Sequence, residues 1–138
     1  MSTTETFYEF PCCDRDPVDR WSFGRATLLG DAAHPMYPTG SNGASQAILD
    51  ALALAAHLMS GAPVARALAA YDAERRPATA AITLSNRRGG GRGDRPGRGA
   101  GTGGFTDLGA VASHAEREAV VRGYATLAGY AVDQVNQP

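Results

Sequence analysis

The stretch spanning residues 30–45, GDAAHPMYPTGSNGAS, limits this chain more than any other, because it joins a strand end to a helix start through a loop with few backbone options. Residues 25–29 (RATLL) form a short apolar run between Gly24 and Gly30, the pattern of a buried strand. Asp31 falls where that strand should stop. Pro35 and Pro38 fix φ and remove two backbone donors, while Gly40 and Gly43 permit conformations and close approaches that a Cβ would forbid. Beyond Gly43, the residues Ala44, Ala47, Ile48, Ala51, Ala55, Leu58 and Met59 fit the apolar face of an amphipathic helix. Ser41 or Asn42 is placed to cap it, and Gly61 with Pro63 to end it. The free N–H groups of its first turn then point back at the loop, where they favour an anion or a carbonyl carrying negative charge. The Asp31 carboxylate can accept two hydroxyl hydrogen bonds, which suits a sugar or polyol chain. The arrangement predicts an oxyanion-type site and no metal site.

The remaining chain predicts further elements. Residues 7–10 read as a short strand and CCDRDPVDR as a solvated turn, in which Asp14, Asp16 and Asp19 each sit near Arg15 or Arg20. Trp21 and Phe23 are expected to pack against the next strand. A second helix starts at Pro63 with Val64, Ala67, Leu68 and Tyr71 on its buried face and Asp72, Glu74, Arg75 and Arg76 on its exposed side, until Pro77 bends or ends it. Asp50 is read as structural, pairing with an arginine across the helix seam or facing solvent. Ser113 and Glu116 form a capping box ahead of a third, structural helix carrying Val120, Tyr124 and Leu127. His34 is read as a loop-stabilising residue, with direct proton transfer as the alternative. His57 and His114 join no metal-ligand cluster.

The run GRATLLGDAAHPMYPTGSNGASQAILDALALA resembles the second flavin-contacting motif of the FAD-dependent (group A) aromatic monooxygenases, above all the branch with phenazine-type hydroxylases. The similarity continues through YDAERRPATAAITLSNRR and, more weakly, through GFTDLGAV and GYAVDQVN. The resemblance implies an α/β fold, here part of a Rossmann-like FAD/NAD(P)-binding flavoprotein fold with one or two strands and about three helices. It implies that Asp31 binds the ribityl chain, that Pro38 lies beside the isoalloxazine face where oxygen reacts, and that the N–H groups of Ala44 and Ser45 meet the flavin N1–C2=O edge, with Gly40, Asn42 and Gly43 also counted among the cofactor-binding residues. Some relatives carry a lysine in this loop, where this chain has Asn42. The implied activity is hydroxylation of a small aromatic substrate with NAD(P)H and O2.

Such enzymes hold the pyrophosphate of FAD with a strand–GxGxxG–helix unit. None precedes Asp31, and the later Gly-rich run lacks the flanking strand and helix. The chain is therefore expected to be the C-terminal part of a flavoenzyme, inactive alone and partnered by a missing N-terminal fragment. Its 138 residues suit a single domain. Three segments are expected: residues 1–86, holding the flavin-edge strand, loop and helical pair; residues 87–104, with nine of the 17 glycines and five arginines; and residues 105–138, a helical tail. The Gly/Arg segment reads as flexible. An arginine-glycine RNA-binding tract or a non-catalytic helical interaction module is the alternative reading, although a net charge of −1 gives no field for nucleic acid or membrane. No secretory leader and no apolar run near the roughly 18 residues of a membrane span is visible. Cys12 and Cys13 are adjacent and suit ordinary reduced thiols, so a cytoplasmic location is expected.

Overall fold

The computed structural model describes residues 8–88, 107, 109 and 112–135. A two-residue hairpin, β1 (Ser22–Phe23) and β2 (Ala26–Thr27), leads through 3-10 turns at Gly30–Ala32 and Pro38–Gly40 into α1 (Gly43–Met59). There follow α2 (Val64–Arg87), α3 (His114–Ala128) and the single turn α4 (Val132–Val135). Among the described residues this is the mixed α/β composition expected, two strands with three principal helices. The strands are antiparallel, with Ser22 opposite Thr27 and Phe23 opposite Ala26. Of the expected buried strand over residues 25–29 only residues 26 and 27 pair, and Arg25, Ala26 and Leu29 are exposed. Residues 8–10 form no strand and are exposed, and Phe7 lies outside the described residues.

Trp21, Ala33 and Tyr71 form the core, with Val18, Leu28, Ala53 and Leu54 packed around them. Burying side chains of this size contributes about 1.5–3 kcal/mol each. Polar bonds fix where the hairpin lies on α2. The Asp72 carboxylate accepts from the N–H groups of Trp21 (2.8 Å) and Ser22 (3.0 Å), and the Ser22 hydroxyl donates to the Leu68 carbonyl at 2.8 Å. Asp72 is thus buried, contrary to its expected exposed place, where it accepts from the amides of Trp21 and Ser22 at the start of the hairpin. Burial opposes its ionisation, but the bonds from Trp21, Arg76 and Ser22 outweigh that and hold its carboxyl below the usual range.

The expected apolar face of α1 is not the buried one. Ile48 is 62% exposed, Leu52 63% and Met59 85%, and Ala44, Ala51, Ala55 and Leu58 are exposed too. The inward face instead carries Gln46 and Asp50, both buried, with Ala53 and Leu54. Polar residues line this seam because α2 supplies Arg75, whose side chain is only 11% exposed, to meet them. On α2, Ala67, Leu68 and Tyr71 are buried as expected, whereas Val64 is exposed. Pro77 does not end this helix: α2 runs on to Arg87, with Pro77 on its exposed side. At the far end of α2, Arg87 pairs with Asp14 and Asp16, so two acids of the N-terminal turn are clipped to the helix. The capping box at Ser113 and Glu116 is present in both directions.

Candidate functional site

The loop over residues 30–45 begins at Gly30, whose φ of +58° is a left-handed value and whose Cβ, if present, would lie 3.2 Å from the Ala47 side chain. That backbone bend turns Asp31 out to the surface, where its carboxylate is exposed. Arg15 braces the peptides that follow by donating to the carbonyls of Ala32 (3.0 Å) and Ala33 (2.9 Å). Pro38, also exposed, opens the second 3-10 turn, which closes through a bond from the Ser41 N–H to the Pro38 carbonyl at 3.0 Å.

Helix α1 then starts without a side-chain cap. Ser41 is left-handed (φ 54°, ψ 30°) and Asn42 right-handed (φ −95°, ψ −12°), so neither has the extended backbone that capping residues usually adopt. A left-handed residue followed by a right-handed one makes successive N–H groups converge, a geometry that favours anionic atoms. The Ser45 hydroxyl donates to the Asn42 carbonyl, and the Asn42 side-chain amide is drawn off to the Tyr124 hydroxyl at 2.6 Å. The first-turn amides of Gly43, Ala44 and Ser45 therefore remain without helical partners. A Cβ on Gly43 would sit 3.8 Å from Asp31 Oδ1, so the carboxylate stands over the helix start. Asp31 and Gly43 are thus brought together, and the amides of Ala44 and Ser45 follow in the same first turn.

At Gly40 the close approach expected where a Cβ is missing is made by a side chain. A Cβ there would come within 1.7 Å of the Tyr124 hydroxyl and 2.6 Å of its Cζ, so the space left by the missing side chain is taken by a phenol from α3. Helix α3 is consequently more than the structural helix the sequence suggests. Burial, with the neighbouring Tyr130, raises the Tyr124 pKa and keeps the phenol protonated.

Beneath the loop lies a buried polar floor. Asp50 accepts from His34 Nε2 (2.6 Å), Arg75 Nε (2.8 Å) and the Gly30 N–H (3.2 Å). Arg75 also donates to Gln46 Oε1 at 2.7 Å, and Gln46 Nε2 donates to the Ala128 carbonyl at 2.9 Å. Burial disfavours the charged form of Asp50, yet the His34 and Arg75 bonds prevail and hold its carboxyl below the usual range. A carboxylate this close requires the proton on Nε2 of His34. The other ring nitrogen, Nδ1, is buried without a hydrogen-bond partner among the described residues. His34 also stacks obliquely on Trp21, 5.6 Å between centroids, which ties the loop to the core.

The sequence reading missed Arg15, Gln46, Arg75, Asn86 and Tyr124 as parts of this site. Gln46 and Asp50, four residues apart in an otherwise apolar helix, were a usable sign of a polar seam. Asn86 and Tyr124 carried none. Among the described residues no group of histidines, cysteines and acids could hold a metal ion, and no helix is long and apolar enough to cross a membrane. Most of the Gly/Arg-rich segment over residues 87–104, and with it the RNA-binding reading, lies outside the described residues.

Comparison with known proteins matches residues 13–85 to a family described as FAD binding domain. The chain is 56% identical over 87 residues to a phenazine 1,6-dicarboxylic acid hydroxylase of Lysobacter antibioticus, an overlap covering 63% of this chain and 21% of the relative. It is 47% identical over 75 residues to 3-hydroxybenzoate 6-hydroxylase 1 of Aquipseudomonas alcaligenes (54% of this chain, 19% of the relative). It is 48% identical over 66 residues to kynurenine 3-monooxygenase of Stenotrophomonas maltophilia (47% of this chain, 14% of the relative). The chain spans about a fifth or less of the length of these relatives.

Proposed function

The chain belongs to the FAD-binding domain family, and on that premise we propose that it holds the isoalloxazine and ribityl end of FAD in a flavin-dependent aromatic hydroxylase. The observation that carries this reading is the exposed Asp31 carboxylate standing over the uncapped start of α1. Asp31 accepts ribityl hydroxyls. The first-turn amides of Ala44 and Ser45 donate to the N1–C2=O edge, where negative charge grows on reduction. Pro38 and Gly43 line the approach, and Asn42, in place of a cationic residue, leaves the backbone and helix dipole as the source of positive potential. When bound, FAD supplies the redox and oxygen chemistry, with NAD(P)H as reductant and a small aromatic compound as substrate. The residues fit such a group because the open amides and the missing Gly43 side chain leave a polar, accessible edge.

The pyrophosphate and adenosine half of FAD needs a strand–GxGxxG–helix unit, and none precedes Asp31 in these 138 residues. We infer that a polypeptide carrying that unit packs with the chain, and the outward apolar face of α1, with Ile48, Leu52 and Met59, supports this. Alone, the chain is expected to bind FAD weakly, since the pyrophosphate contacts are forfeited. The test is titration with FAD followed by flavin fluorescence, with and without a polypeptide bearing the GxGxxG unit. That polypeptide should strengthen binding, and Asp31→Ala should weaken it by about tenfold or more. Equal affinity of the Asp31→Ala variant in both settings would overturn the assignment of the loop. Tight stoichiometric binding by the chain alone would remove the need for the second polypeptide.

A further inference from the structure

Residues 86–138 lie beyond the family match, yet two of their side chains close the loop that the match contains. The Asn42 side-chain amide donates to the Tyr124 hydroxyl at 2.6 Å, and that hydroxyl donates to Asn86 Oδ1 at 2.6 Å. Asn86 Nδ2 in turn donates to the Tyr37 carbonyl at 3.3 Å. The direction of this chain is fixed at its end: a backbone carbonyl can only accept, so Asn86 must present its amide nitrogen to Tyr37 and its oxygen to the phenol. The single phenolic proton then goes to Asn86, leaving the oxygen lone pair for Asn42. Tyr37 and Asn42 flank the 3-10 turn Pro38–Gly40, so the bonds form a ring that ties both ends of the turn to α2 and α3.

We propose that Tyr124 is a positioning residue for this loop, holding the start of α1 open from a helix outside the matched segment. Two consequences follow from its geometry. The phenol lies over Gly40, so any side chain there must expel it. It also fixes the Asn42 side chain through Nδ2, and with the right-handed backbone of Asn42 no side-chain cap forms on the first turn of α1, so those N–H groups stay available. Asn42 is otherwise among the best residues for capping such a turn. The effect on cofactor rests on the proposed function; the ring of bonds does not.

Amide hydrogen exchange on the chain without flavin tests the ring directly. Tyr124→Phe keeps the aromatic ring but removes the hydroxyl, and exchange at Ser41 should quicken at least fivefold while amides around Tyr71 are unchanged. Unchanged exchange at Ser41, or an equal rise at both places, overturns the proposal. A second measurement guards against general destabilisation. Gly40→Ala should shift the urea midpoint strongly in the native background and little in a Tyr124→Ala background, and equal shifts would overturn the contact. In the presence of the GxGxxG-bearing polypeptide, Tyr124→Phe should also weaken FAD binding severalfold, and the added change Asn42→Ala should restore part of it by removing the competing cap. An unchanged FAD affinity combined with faster Ser41 exchange would overturn the loop as the flavin site while leaving the ring of bonds standing.

Discussion

Replacing Asp50 with asparagine should be among the most costly single changes in this chain. The carboxylate is fully buried and accepts three hydrogen bonds, two of them from the His34 ring and the Arg75 guanidinium. Asparagine keeps one acceptor oxygen but turns an NH2 group toward either His34 or Arg75, setting donor against donor. It also leaves the guanidinium, whose side chain is 11% exposed, without its countercharge. Removing one partner of a buried ion pair costs about 3–5 kcal/mol, against a total stability of about 5–15 kcal/mol for a domain of this size. Asp72→Asn provides the comparison. It loses a charge shared with Arg76, whose side chain is 36% exposed, so water takes up part of the deficit and a cost of about 1–3 kcal/mol is expected. The assay is urea unfolding followed by the fluorescence of Trp21, the sole tryptophan, which is buried against His34 and Tyr71. A loss below about 1 kcal/mol for Asp50→Asn, or one no larger than for Asp72→Asn, would refute the reasoning. The double change Asp50→Leu with Arg75→Met should recover much of the loss, because removing both charges avoids stranding either.

Three further outcomes are expected. Asp50 and Asp72 both have carboxyl pKa values lowered by folding, so their stabilisation is fully present above the ordinary carboxylate value of about 3.9 and is lost as pH falls through the lowered values; the urea midpoint should therefore drop below about pH 4, and a flat profile down to pH 2.5 would contradict this. Leu52→Glu should change stability by less than about 0.5 kcal/mol because Leu52 is 63% exposed, whereas Tyr71→Ala, at a fully buried site, should cost about 3–5 kcal/mol; thermal melts of the two variants would settle the orientation of α1 and α2. Ser113→Ala should remove the capping box and cost about 1 kcal/mol, read as a lower helical signal by circular dichroism and a lower melting temperature.

The parts of this fold governed by local chemistry could be read from the sequence. The turn residues of the loop and the capping box at Ser113 depend on neighbours a few positions away and fall where expected, and α2 begins one residue beyond Pro63, which stands at its N-cap instead of at its first helical position. The orientation of α1 could not be read, because its alanines are compatible with either face and the choice was made by Arg75, 25 residues later, bonding to Asp50. The same holds for Asn42. Local rules make it a capping residue, yet a hydroxyl 82 positions away claims its amide. Pro77 shows the reverse limit: local rules predict a break, but the helix keeps the packing of Thr79, Ile82 and Thr83, all buried, and continues.

The seam between α1 and α2 also acts as a ruler. Arg75 grips Gln46 and Asp50 at once, two residues one turn apart on α1. Sliding either helix by a single turn, about 5.4 Å, would leave Arg75 facing at most one of the two, with Asn42 or Leu54 in the other's place, so only the present offset satisfies both bonds. Alanine-rich helices packed by hydrophobic contact alone have many nearly equivalent offsets, whereas this pair has one. The helix that bears the loop is therefore indexed longitudinally against its neighbour, and its outer surface is free to diverge or to meet another polypeptide without altering where the loop is presented.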